Sequence, residues 1–263
     1  MIKNYLTPKT LKEAVELKEQ YGINAKYLGG GTELNLEVNK LNYETFIDLK
    51  NLKLNKIKVT SEGNVEIGSM VTFQSLVTNE EVPVQLKQAA NYMESRNIRN
   101  IATIGGNIGG GKTVGDLLPT LFVLNAKLKL GNSNSLITVE KYVEESNSEL
   151  IEKIIIEKKE LEKKYNSKVY MRSSNDLSIL GTAISYIEKD KKITDIKIAI
   201  GGVSKKVIRL KNVEKELENM LLTKEMIVEL IAKNITPISD IRGSKEFKTH
   251  LVGELVADCF KIR

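Results

Sequence analysis

Among its 263 residues this sequence has one cysteine, one histidine and no tryptophan, and each scarcity removes a class of chemistry. A single thiol, Cys259, can form neither an internal disulfide framework nor an all-protein thiolate cage for zinc or an iron–sulfur cluster. A single imidazole, His250, excludes His-pair metal motifs and histidine proton relays. Redox chemistry, if there is any, needs a bound organic cofactor. Aromatic residues make up only 5%, too few for a base-stacking platform. No apolar run approaches the roughly 20 residues that span a bilayer. The opening MIKNYLTPKTLKEAVELKE lacks the apolar core of a secretory signal, so a cytoplasmic location is expected.

What is present is a globular balance of 41% hydrophobic and 28% charged residues. The net charge of +6 comes from 40 Lys and Arg set against 34 Asp and Glu. The two signs interleave, as in KKELEKKY (158–165) and KKVIRLKNVEKELE (205–218), which reads as a solvated surface rather than a nucleic-acid stripe. The length is about twice the commonest domain size, so two domains or one subdivided domain is expected.

Local patterns supply an element order. Thr10 and Glu13 form a capping box for a helix over 10–21, with Leu11, Ala14, Val15 and Leu17 as its apolar positions and Gly22 as its stop. AKYL (25–28), TFIDLK (45–50) and NVEIGSMVTF (64–73) read as strands, and Asp48 as a turn cap. A helix follows Pro83, presenting Leu86, Ala89, Ala90 and Met93. Residues 126–130 and 136–140 read as a hairpin joined by Gly131, Asn132, Ser133 and Asn134. The stretch 150–165 reads as a charge-rich connection. After it come three strand-like runs (177–188, 193–203 and 205–210), with Asp190 and Lys191 at the first turn. Helical patterns then fill 212–220, 223–234 and 244–260. The pattern is α+β.

Two glycine clusters stand out. GNIGGGKT (106–113) satisfies the phosphate-loop pattern of nucleotide hydrolases residue for residue. Its context does not: Arg96 and Arg99 break the preceding apolar run, and Pro119 interrupts the following helix. IKIAIGG (196–202) also ends in glycines instead of a magnesium-holding aspartate. Nor is the Rossmann fingerprint met. The other cluster is Gly29-Gly30-Gly31-Thr32. Successive glycines either make tight turns or, having no Cβ, let backbone N–H groups close on an anion. Two such turns, with Thr32 and Asn107 at their ends, suit a pyrophosphate.

LGGGTEL (28–34), IRNIATIGGNI (98–108), GDLLPTL (115–121), KVYMRSSNDLS (168–178), IAIGGVS (198–204) and SDIRGSKEFKTHL (239–251) occur in the order and spacing of one family. On these motifs the chain resembles the FAD-binding subunit of the xanthine dehydrogenase and carbon monoxide dehydrogenase family of molybdenum hydroxylases. The resemblance implies a two-subdomain FAD-binding domain of the carbon monoxide dehydrogenase flavoprotein type over 1–164, divided near 57. A domain of a three-stranded antiparallel sheet packed on helices would follow over 165–263.

For the site, the resemblance implies that Lys26, Tyr27, Leu28, Gly29, Gly30, Gly31, Thr32 and Glu33 wrap the FAD pyrophosphate. Thr103, Gly105, Gly106, Asn107, Gly110 and Gly115 would do so from the other side. Asp116 would bind ribityl or ribose hydroxyls or anchor its loop. Lys168 would approach the isoalloxazine, where a cation stabilises the anionic reduced flavin. No catalytic side chain and no metal ligand are expected. Arg172 and Asp176 are either part of this series or a four-spaced ion pair. Tyr165 and Tyr170 could shield a flavin, or serve as core or rim residues, and His250 and Cys259 are expected to be packing residues of the last helix. The loop IGGGKTVG (108–115) departs from the family's alanine, serine and proline pattern, so extra flexibility and an added positive charge at Lys112 are expected there.

The function so implied is electron transfer. Partners would be a molybdopterin-binding large subunit and a [2Fe–2S] small subunit, and electrons would pass through FAD to NAD or another acceptor. A flavin-free assembly subunit and a phosphate-loop nucleotide-binding protein are the alternatives.

Overall fold

The structure is a computed structural model describing residues 2–37, 43–93, 95–131, 133, 135–173, 176–190 and 192–261. Asn132, Asn134 and Lys191, expected in turns, lie outside the described residues.

The chain builds three sheets in sequence. In the first, β1 (Asn4–Leu6), β2 (Ala25–Leu28) and β3 (Thr45–Asp48) lie parallel in the order β1-β3-β2. The crossover helix α1 (Leu11–Tyr21) covers them, and its start is built as its sequence demands. Thr10 Oγ1 accepts from Glu13 N (3.1 Å), the Glu13 carboxylate reaches back to Lys9 N (2.7 Å), and Gly22 closes the helix at φ 53°. Asp48 caps the turn after β3, accepting from Lys50 N (2.9 Å). The short helix α2 (Leu34–Glu37) follows β2 across the first glycine turn.

The second sheet is antiparallel and contains β4 (Ile57–Val59), β5 (Val65–Gly68), β6 (Lys127–Leu130), β7 (Leu136–Thr138) and β8 (Ile151–Ile156), in the order β4-β5-β8-β6-β7. Helices α3 (Phe73–Thr78), α4 (Val84–Asn91), α5 (Arg96–Arg99), α6 (Ile104–Gly110), α7 (Leu118–Val123), α8 (Val139–Glu144) and α9 (Lys158–Leu161) belong to this part of the chain. β8 occupies the centre of the sheet, within the stretch expected to be a connection. Its Ile151, Ile154 and Ile156 are buried. Its charges are neutralised across the sheet, Lys153 by Glu66 (2.7 Å) and Glu152 by Lys129 (2.9 Å), so a central strand carries a charged sequence.

The third sheet runs β12 (Ile208–Arg209), β11 (Lys192–Gly201), β10 (Leu180–Lys189) and β9 (Lys164–Tyr170), all antiparallel. It therefore has one strand more than expected. The extra strand, β9, shows no apolar alternation because one of its faces carries Asn166 and Lys168 toward the last helix and the other buries the small Ser167. Helices α10 (Lys211–Leu217), α11 (Lys224–Asn234) and α12 (Lys245–Cys259) complete this part, and an apolar core with Ile184, Ile198, Ile227, Ile231, Val252 and Val256 joins them to the sheet. Ala183, Ala199 and Val207 instead join the core of the second sheet. Cys259 is buried as expected, whereas His250 is exposed on α12 and is not a packing residue. Among the described residues no helix is long and apolar enough to cross a membrane.

Candidate cofactor site

The two glycine clusters, more than seventy positions apart, pack directly on each other. A Cβ placed on Gly30 would overlap the backbone carbonyl of Ile101, and one on Gly29 would lie 2.7 Å from Thr103 Oγ1. Only glycine permits this approach of the turn after β2 to the segment before α6. Gly31 has φ +71°, the left-handed region, and so turns the chain into α2. The consequence is chemical. The N–H groups of Gly29, Gly30, Gly31, Thr32 and Glu33 donate to no described residue, which leaves a row of partly exposed donors along the seam. Successive free amides of this kind form an anion cradle.

The second cluster has a different form from the loop expected. Gly105 and Gly106 lie in the first turn of α6, with Thr103 as N-cap, and Gly110 in its last. Their amides are already engaged: Ile104 N donates to Val71 O (3.0 Å) and Gly105 N to Ser69 O (2.8 Å). Gly106 N donates to Thr103 Oγ1 (3.1 Å) and Asn107 N to Thr103 O (2.9 Å). What this side offers is polar side chains. Asn107 Oδ1 and Ser69 Oγ are buried with no hydrogen-bond partner among the described residues, a costly state for polar atoms. Ser69 carried no sequence signal; it matters because Gly105 lies against it, where a Cβ would come within 2.6 Å of Ser69 Cβ.

This geometry also disposes of the phosphate-loop match. A phosphate loop precedes a helix and places its Lys at the helix start. Here Gly106–Gly110 are helical, Gly111 is the left-handed C-cap (φ 57°), and Lys112 follows the helix end. Lys112 instead reaches the first cluster and pairs with Glu33 at 2.8 Å. The loop after it is tied down. Thr113 Oγ1 accepts from Gly202 N (2.9 Å), and a Cβ on Gly201 would overlap the Thr113 carbonyl, so IAIGGVS packs its glycines on this loop. Of the segment 108–115 expected to be a loop, residues 108–110 are the last turn of α6, and Lys112 and Thr113 make these contacts.

A narrow crevice runs from the loop into the third sheet. Asp116 lines it with Tyr92, Thr113, Thr120, Ser167 and Thr182. Burial, only partly offset by its own backbone amide, pushes the Asp116 carboxyl up to about 6. Gly115 is buried beside it, its N bonded to Lys112 O (2.9 Å).

The other expected residues are not gathered here. Lys26 sits over the Tyr43 ring, 4.8 Å from its centroid. Tyr27 packs into the small core of the first sheet with Leu28 buried next to it, and burial raises the Tyr27 phenol. Lys168 pairs with Asp258 of α12 at 2.7 Å, and its strand neighbours Ser167 and Val169, not Lys168 itself, line the crevice. Arg172 and Asp176 form an ion pair at 2.8 Å that lowers the Asp176 carboxyl. Tyr165 is a core residue bonded to Thr120 Oγ1 (2.8 Å), and Tyr170 is a rim residue edge-on to Phe247.

FAD fits what the residues offer: five amides for a diphosphate that donate to no described residue, and orphaned polar atoms on Asn107 and Ser69. Similarity to known proteins agrees. Residues 1–159 match the FAD-binding domain in molybdopterin dehydrogenase, and residues 166–262 match the carbon monoxide dehydrogenase flavoprotein C-terminal domain. Protein YgfM of Escherichia coli K12 is 32% identical over 99% of this chain and 96% of its own. The putative xanthine dehydrogenase FAD-binding subunit XdhB of the same strain is 29% identical over 95% and 91%. Carbon monoxide dehydrogenase from Hydrogenophaga pseudoflava contains a chain with the same fold, at a TM-score of 0.90 and 24% identity over 99% of this chain and 96% of that one. The chain is therefore a member of the family of FAD-binding medium subunits of molybdenum-hydroxylase oxidoreductases.

Proposed function

We propose that this chain is the electron-transfer subunit of a xanthine dehydrogenase-like complex. Its partners are a molybdopterin-binding large subunit and a [2Fe–2S] small subunit, and electrons from the small subunit's clusters leave through FAD to NAD or another acceptor. The similarity to a protein named as a subunit supports the partnership. The flavin, when bound, supplies the exchange between one-electron and two-electron carriers.

The protein's part is to bind and orient. The amides of residues 29–33 hold the diphosphate, and Thr32, Asn107 and Ser69 add side-chain hydrogen bonds. Asp116 would accept from sugar or ribityl hydroxyls or anchor its loop. The FAD-binding domain spans 1–164, in subdomains of about 1–57 and 58–164, and the flavoprotein C-terminal domain spans 165–263. The sheets over 4–48, 57–156 and 164–209 support these divisions to within a residue. The cytoplasm is the compartment we assign.

The observation that carries the reading is the row of free amides at 29–33 seated on the Thr103 cap. FAD titration tests it: the purified chain takes up FAD and acquires a visible flavin spectrum. Gly30→Val, which drives a side chain into the Ile101 carbonyl, removes that uptake. Bleaching of the bound flavin by NADH supports NAD as acceptor. A wild-type chain that stays colourless in excess FAD overturns the assignment and leaves the flavin-free assembly subunit.

A further inference from the structure

The geometry points to the Glu33–Lys112 pair as the charge balance that lets this chain's cradle accept an anion. The inference rests on the reading that residues 29–33 hold the FAD diphosphate. Glu33 ends the row of free amides, so its carboxylate stands beside the place where the phosphates are to lie. It also lies against the last turn of α6, where a Cβ on Gly110 would come within 2.9 Å of Glu33 Oε2. That turn is a helix C-terminus, whose outward carbonyls make it the negative end of the element. A carboxylate, a helix C-terminus and a diphosphate are three negative groups in one place. Lys112, the residue following the Gly111 C-cap, meets the carboxylate at 2.8 Å.

The pair is neither buried nor free in solvent, at 40% exposed for Glu33 and 50% for Lys112. An exposed pair adds little to folding, but its charges still act on an anion held within a few ångströms. Lys112 is thus a positioning residue: it pins Glu33, cancels its charge, and couples the first glycine turn to the loop that Gly201 and Gly202 hold. The extra glycine and lysine of GGGKT, the departure from the family pattern, become one device. Gly110 leaves room for the carboxylate and Lys112 neutralises it.

The test is FAD titration of the full chain, followed by quenching of flavin fluorescence, in wild type, Glu33→Gln, Lys112→Gln and the double variant. Circular dichroism verifies that all four fold alike. Lys112→Gln weakens FAD about tenfold at low salt, because an uncompensated carboxylate then faces the diphosphate. The deficit shrinks as salt rises toward about 0.5 M. The double variant returns to within about threefold of wild type, a rescue that a purely structural role for Lys112 does not produce. Wild-type-like binding by Lys112→Gln, or an equal loss in the double variant, overturns the pair's role while leaving the cofactor reading intact. A wild type that takes up no FAD overturns both.

Discussion

A carboxylate taken out of water costs stability where no cation offsets its burial, and among the described residues Asp116 is such a group. Burial raises it from the usual carboxylate range to about 6. The sign of the pH effect follows. Between about pH 4 and 6 the folded chain holds a proton on Asp116 that the unfolded chain has lost, so stability falls as pH rises through that window. At pH 7 the burial cost is complete. Asp116→Asn removes it, and denaturant unfolding of that variant shows a gain of about 2 kcal/mol at pH 7 that shrinks toward zero near pH 4. A gain that does not change with pH excludes this account. The same principle makes Cys259 inert: burial pushes its thiol up to about 12, far from the thiolate that reacts. Thiol reagents modify it in denaturant and leave it unmodified in the native chain.

At the scale of elements, α6 is a helix made largely of glycine. Gly109 faces open space with ordinary helical backbone, whereas Gly111 sits at φ +57°. Alanine at the first relieves the entropy cost of a helical glycine and stabilises by about 0.5–1 kcal/mol. Alanine at the second strains a left-handed cap and destabilises by about 1 kcal/mol. Thermal unfolding of the two variants shifts in opposite directions; shifts of the same sign mean the segment is not this helix. The composition of α6 also explains what sequence reading could see. Helix α1 was legible because cap, apolar stripe and stop each have their own residue, Thr10, Ala14 and Gly22. α6 read as a loop because glycine is the poorest helix former short of proline, and tertiary bonds to Val71 and Ser69 override that propensity. β8 and β9 were hidden for another reason, since their charges are paired by residues far away in sequence, such as Glu66 and Asp258. In the site, the glycines were legible because a close approach tolerates nothing else, and the roles of Ser69 and Glu33–Lys112 were not, because they exist only after the turns meet.

Across the whole molecule, the second and third sheets share one interior. Ala183, Ala199 and Val207 lie in the core around Phe73, Phe122 and Ile154, and α7 packs on β10 and β11. Polar bonds cross the same boundary, from Ser185 Oγ to Val123 O (2.8 Å) and from Tyr92 OH to Ser167 O (2.7 Å). An ion cluster closes it at the edge. Glu160 of α9 is buried between Lys163 at 2.6 Å and Lys197 of β11 at 2.9 Å, and Lys163 also meets Asp195. Domains joined this way lose their contacts together, so denaturant gives one transition, with the same midpoint by far-ultraviolet circular dichroism and by tyrosine fluorescence. Glu160→Gln leaves two nearly buried lysines with only Asp195 between them, a loss of about 3 kcal/mol on the scale of broken buried pairs. Because the cluster ties α9 to β11, the whole transition moves to lower denaturant in this variant. If instead the curve splits, with only one half displaced, then the shared core is too weak to couple the domains, and the crevice beside Asp116 opens independently of the fold.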